Sequence, residues 1–240
     1  LNSDLWQTLA ASITSGIFMR LPHLPAAFCV VLALAASAAA ARGHGHSDRG
    51  DAPGRFDYYL MALSWSPSFC ETHADESEQC ASKGFGFVLH GLWPQNRDGS
   101  WPQHCASSGE PDAATVDRTL AFMPSRHLIE HEWQTHGACT GLDARSYFDL
   151  ADHAFARIKV PPVLVAPRSP PPLSAADVVQ AFIQANPGLG ENMLSVDCHD
   201  GSELTEVRVC LNKQDLSPQA CGGRLRNTCR YGVLKIPAVR

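Results

Sequence analysis

Two histidine-bearing segments, Gly86-Phe-Val-Leu-His-Gly-Leu-Trp-Pro94 and His131-Glu-Trp-Gln-Thr-His-Gly-Ala-Cys139, carry the side chains best suited to proton transfer. Histidine titrates close to neutral pH, so two imidazoles facing one reacting centre can act as general base and general acid without a metal or a cofactor. His90 and His136 are the candidate pair. Glu132 stands four residues before His136. On a helix that spacing puts both on one face, where the carboxylate can hydrogen-bond to the imidazole or support its charge.

Other chemistries fit the same residues less well. The zinc-protease motif needs histidines at i and i+4, whereas His131 and His136 are five apart; at about 100° per residue they leave a common stripe. A Cys-His hydrolase built on Cys139 needs a free thiolate, which a fully disulfide-paired chain lacks. A serine triad would want Gly-x-Ser-x-Gly, which is missing. RNA cleavage asks for less, because the ribose 2′-hydroxyl is the nucleophile. The protein then supplies a base for that hydroxyl, an acid for the departing 5′-oxygen, and donors or cations for the charge on phosphorus.

The segments Trp65-Ser-Pro-Ser-Phe-Cys70, His90-Gly-Leu-Trp-Pro94, His131-Glu-Trp with His136-Gly-Ala-Cys139, and Glu206-Val-Arg-Val-Cys210 resemble the ribonuclease T2 family over roughly Phe56 to Ile236. The resemblance implies an endoribonuclease that cuts single-stranded RNA to 2′,3′-cyclic phosphates. It makes His136 the base, His90 the acid, Glu132 the group that stabilises the phosphorane and His131 a phosphate-site residue. Trp93 and Trp101 fall where relatives form a base-stacking pocket, the second usually as tyrosine. Gln95 stands where many relatives carry an aspartate that reads a base edge, which leaves base preference open. Thr135 replaces the usual lysine before the histidine. That loss keeps a second reading open, a catalytically weak homologue that binds RNA or a protein partner outside the cytoplasm.

The elements that must hold these residues read as α+β, with a largely antiparallel sheet packed by helices. Phe56 to Ser64 is a mostly apolar run suited to a central strand, ended by Ser66-Pro67-Ser68. Phe85 to Leu89 predicts a short strand running into His90, with Gly91 allowing a tight turn. Helices are expected at Thr115–Phe122, His127–His136 with Ser125 as cap, Ala144–Ile158, and Ala175–Ala185 capped by Ser174. Trp133 reads as core. Pro161 to Leu173 is a surface connection. Strands are expected around Leu204–Leu211 and at Gly232–Ile236.

At 240 residues and 45% hydrophobic the chain can bury one good core. Met19-Arg20 followed by the apolar run Ala26–Ala36 reads as a secretory signal peptide over residues 19–41. On that reading residues 1–18 lie upstream of the native start, residues 42–54 form a flexible leader, and residues 55–240 form the catalytic domain. Of nine cysteines, Cys29 falls in the signal, leaving eight: an even set that in an exported, periplasmic or secreted chain means disulfides. Spacing alone allows on the order of a hundred pairings. The resemblance implies Cys70 with Cys80, Cys105 with Cys139, Cys198 with Cys229, and Cys210 with Cys221. Irregular spacings without Cys-x-x-Cys disfavour zinc. The formal charge of −5 excludes a broad basic coat for nucleic acid. Acidification toward pH 5 would protonate histidines and reverse the sign, drawing a polyanion in. The expected partner is single-stranded RNA, for a monomer with no membrane segment after processing and no cofactor or metal.

Overall fold

The computed structural model describes residues 52–240, apart from 82, 108 and 224. The expected upstream segment, the signal peptide and all but the end of the leader lie outside the described residues. The end of the leader is held rather than loose: the Gly54 amide donates to the Cys139 carbonyl at 2.9 Å, and Lys213 donates to the Gly54 carbonyl at 2.7 Å.

In chain order the elements are β1 (Tyr58–Trp65), α1 (Ser66–Thr72), the short α2 (Ser77–Cys80), β2 (Phe87–Gln95), α3 (Ala113–Thr119), α4 (Arg126–Thr135), α5 (Ala144–Arg157), α6 (Ala175–Ala185), β3 (Leu194–His199) and β4 (Glu203–Asn212). The strands make one sheet in the order β2-β1-β4-β3, every pair antiparallel.

Register divides the sheet into two faces with different jobs. Leu92, Met61, Val209 and Leu194 form one cross-strand row, and Leu89, Leu63, Val207 and Val196 another; both belong to the main core. Helices α3 to α6 cover that face with Val116, Ile129, Trp133, Tyr147, Phe148, Val178 and Phe182. Fully burying a side chain of this size is worth about 1.5 to 3 kcal/mol. The other face carries the rows Gly91, Ala62, Arg208, Ser195 and Trp93, Leu60, Cys210. Its apolar part is a second, small cluster around Tyr58, Leu60 and Cys210.

Strand β2 departs from expectation. It does not turn at Gly91 but runs on to Gln95, with a bulge instead: Ala62 pairs with Gly91 and Leu63 with Leu89, so His90 is the extra, unpaired residue. An odd spacing such as that of His90 and Trp93 puts side chains on opposite faces of a regular strand, and the bulge resets the phase. Both rings therefore meet on the second face, their centroids 5.1 Å apart.

Helix α4 starts where its cap predicts, the Ser125 hydroxyl accepting from the Leu128 amide at 3.2 Å. It stops one residue short of His136, which has left helical geometry at φ −123° and ψ −46°. Helix α6 begins on a full capping box between Ser174 and Asp177. The expected strand at Gly232–Ile236 reduces to a single bridge between Lys235 and Glu203. All four implied disulfides are formed, Cys70–Cys80, Cys105–Cys139, Cys198–Cys229 and Cys210–Cys221.

Candidate active site

The bulge on β2 and the end of α4 bring the histidine segments together around Trp93. Its indole ring lies 5.1 Å from the His90 ring and 5.3 Å from the His136 ring, centroid to centroid. Its Nε1–H donates to Glu132 Oε2 at 2.6 Å. Glu132 Oε1 lies 3.6 Å from His90 Nε2. The carboxylate thus faces His90 and Trp93. No side-chain hydrogen bond joins it to His136, because the chain has left the helix at that residue and the shared face ends with it.

The site closes over Gly91. A Cβ there would stand 2.1 Å from Glu132 Oε2 and 2.2 Å from Trp93 Nε1, so a residue without a side chain is what lets acid and indole meet.

Burial and neighbours push the titratable groups in opposite directions. Glu132 is 1% exposed; burial raises its pKa to about 7 against the pull of His90 and the Trp93 hydrogen bond. For His90 burial acts downward, but the hydrogen bond and charge of Glu206, with the field of Glu132, outweigh it and leave the imidazole above its ordinary value. His136 moves the other way, to about 4, through burial and the fields of His131, His90 and His104. Its Nδ1 is buried without a hydrogen-bond partner. A second ring proton would strand a donor there, which costs free energy and favours the neutral ring. His131 is exposed on α4, and burial with the fields of His90, His127 and His104 lowers its pKa.

Beside the histidines opens a cavity of about 450 Å³, lined by Tyr58, Trp93, Gln95, Trp101, Thr135, His136 and Arg208, among others. All three residues expected to meet a base therefore share one wall system. Trp101 is half-exposed, whereas Trp93 is tied into the site through Glu132. Thr135 and the guanidinium of Arg208 line this same space, and that guanidinium lies 5.6 Å from the centre of the Trp93 ring. The loop carrying Trp101 is anchored to the end of α4 by the Cys105–Cys139 disulfide and by the His104 amide, which donates to the Thr135 carbonyl at 2.9 Å.

The sequence model of the ribonuclease T2 family matches residues 56–221. The chain belongs to that family. A ribonuclease of Aeromonas hydrophila is 34% identical over 186 residues, covering 74% of this chain and 81% of the relative. Two solved structures share the fold: RNase NT in complex with 5′-AMP (TM-score 0.60, 22% identity, covering 76% of this chain and 98% of that one) and an RNase-related protein from Calystegia sepium (TM-score 0.63, 20% identity, 77% and 98%). The span matched to ribonuclease T2 contains every site residue named above.

Sequence reasoning passed over the group that touches His90 most closely. Glu206, on β4, takes His90 Nδ1 at 2.5 Å, and Arg208 grips Glu206 Oε2 through Nε at 2.8 Å and Nη2 at 2.7 Å. A signal was present: Glu206 and Arg208 alternate with the core residues Val207 and Val209. Two opposite charges on the second face of a strand otherwise committed to the core need a partner there.

Proposed function

We propose that this chain is an endoribonuclease that cleaves single-stranded RNA by metal-independent transesterification. The ribose 2′-oxygen attacks phosphorus and gives its proton to His136; the bond from phosphorus to the 5′-oxygen breaks, and His90 supplies the proton that the leaving oxygen takes. The products are a 2′,3′-cyclic phosphate and a 5′-hydroxyl. One observation carries this reading: two imidazoles flank one indole, one held above its ordinary pKa by Glu206 and the other depressed to about 4. A pair split in this way is a neutral base beside a protonated acid. Such an assignment agrees with the roles the family resemblance implies.

Glu132, with a pKa near 7, spends part of its time protonated and can then donate to a phosphorane oxygen, while the exposed His131, within the field of His90, is read as the residue that meets a neighbouring phosphate. Trp101 and Trp93 offer faces to a base and Gln95 an edge, with Arg208 supplying positive charge to the cavity that Thr135 also lines. Four disulfides suit export to the periplasm or the medium.

The test is cleavage of a dinucleoside phosphate in EDTA, with phosphorus NMR to identify the cyclic product. The expected kcat/KM falls as pH drops through about 4, where His136 takes up a proton. It also falls as pH rises above the ordinary histidine value, where His90 loses one. Loss of activity in EDTA, or a profile with no acid limb, would defeat the reading.

A further inference from the structure

The His90 side chain is 32% exposed and belongs to a residue that the bulge has removed from regular strand pairing, so backbone pairing alone does not fix its ring. We propose that Glu206, itself held by Arg208, which Asp197 holds in turn, is the positioning carboxylate of the acid histidine. It accepts the His90 Nδ1 proton and leaves Nε2 as the nitrogen presented to the reacting centre. This inference rests on the reading of His90 as the acid.

Both oxygens of Glu206 are spoken for. Oε1 accepts from His90 Nδ1 at 2.5 Å and from the Ser64 hydroxyl at 3.2 Å; Oε2 accepts twice from Arg208. Arg208 in turn reaches Asp197 Oδ2 through Nη1 at 2.7 Å. A carboxylate fastened at both oxygens cannot rotate away from the imidazole. The row is written into sheet register: Glu206 lies opposite Ser64 on β1 and Asp197 on β3. Ala62 and Gly91, opposite Arg208 and beyond, are too small to block the face on which the row lies.

A neutral imidazole carries its proton on one nitrogen, and the bond made by the other side decides which. With Nδ1–H donated to Glu206, the second nitrogen, Nε2, faces Glu132 at 3.6 Å and is the one that can hand a proton to a leaving oxygen. The charge of Glu206 also favours the protonated ring, and that carboxylate is itself ionised: burial would raise its pKa, but His90 and Arg208 hold it at about 2. The other titratable groups facing His90 are Arg208 on β4, which acts against protonation, Glu132, which favours it, and His131 and His136, whose charges would oppose it.

Three measurements test the assignment. Nitrogen-15 NMR of the wild-type His90 ring should find the Nδ1–H tautomer once the ring is neutral; an Nε2–H tautomer would overturn the proposal without any mutant. Glu206→Gln should move the alkaline limb of kcat/KM on a dinucleoside phosphate to lower pH by about one unit or more, the range an adjacent opposite charge commands. Glu206→Asp, which keeps the charge, should leave that limb near its wild-type position even where turnover drops. An equal loss at every pH in E206Q, with the limb unmoved, would make Glu206 merely structural and sink the idea. The His90 reading is checked separately by H90A on two substrates: it should lose about 10² to 10⁴ on the dinucleoside phosphate. A ribonucleoside 3′-(4-nitrophenyl phosphate), which keeps the 2′-hydroxyl nucleophile but whose leaving group needs no acid, should lose much less. Equal losses on both would remove His90 as the acid, whereas a clear split with an unmoved E206Q limb would reject Glu206 alone.

Discussion

Gly91→Ala is the smallest change that should break this site. The added methyl would lie 2.1 Å from Glu132 Oε2 and 2.2 Å from Trp93 Nε1, far inside contact distance. Neither neighbour is free to yield, since Glu132 is 1% exposed and the two are joined by a 2.6 Å hydrogen bond. Forcing them apart costs the overpacking penalty of about 1 to 3 kcal/mol and much of a charge-assisted hydrogen bond worth about 1.5 to 3 kcal/mol. A loss of about 3 to 5 kcal/mol is expected, which for a domain of this size lowers Tm by about 10 °C. Turnover should fall further than stability requires, because the displaced carboxylate is the one facing His90. The assay is urea unfolding of wild type and variant, followed by single-turnover cleavage of a dinucleoside phosphate at a temperature where both are folded. Trp93→Phe serves as the control, removing the donor while adding no bulk. A G91A protein within about 0.5 kcal/mol of wild type, the ordinary range for a harmless surface change, and with normal turnover would show that acid and indole do not meet over this glycine.

Glu132→Gln should change the pH dependence of stability. The folded pKa of about 7 lies above the unfolded 4.5, so between those values the native state binds more protons and wild-type stability declines as pH rises. The variant lacks that decline and should gain on wild type by on the order of 3 kcal/mol between pH 4 and 8, read from denaturant midpoints; parallel curves would mean that Glu132 is not desolvated. Trp101→Ala should weaken nucleotide binding by about 1 to 3 kcal/mol, measured by calorimetry, with little change in Tm because the ring is half-exposed. Trp93→Ala should lower affinity and Tm together, since its indole holds Glu132. Unchanged affinity in W101A would take that ring out of the base pocket.

Much of the candidate site was legible because its residues sit in short segments of distinctive type. His90, Glu132, His136, Trp93, Gln95 and Trp101 do converge on one region, and Trp133 is core as expected. What escaped was register. Nothing local in His90-Gly-Leu-Trp93 announces a bulge, and without one the two rings would face opposite ways. Glu206 lies 116 residues from His90 in sequence and meets it only through the pairing of β1 with both β2 and β4. The glycine at 91 read as a turn because glycine's backbone freedom is its commonest use; here its missing side chain matters instead. Strand β3 escaped because Leu194 to His199 mixes buried Ser195 and Asp197 with apolar residues, a pattern that makes sense only once Arg208 is beside it. Gly232–Ile236 had strand-like residues but makes only an isolated bridge.

The dependence of His90 on Glu206 also has a timing consequence. A chain in the course of synthesis contains His90, Glu132 and His136 well before Glu206 has been added. Pairings of such long sequence separation form late, since loop closure comes before the contacts that reward it. Strand β4 must pair with both β1 and β3, and the Cys198–Cys229 and Cys210–Cys221 bonds that brace it need cysteines that follow it in the sequence. On the proposed chemistry, the unfinished polypeptide emerging among cellular RNAs lacks a correctly held acid. Its capacity to damage them is withheld until β4 is seated.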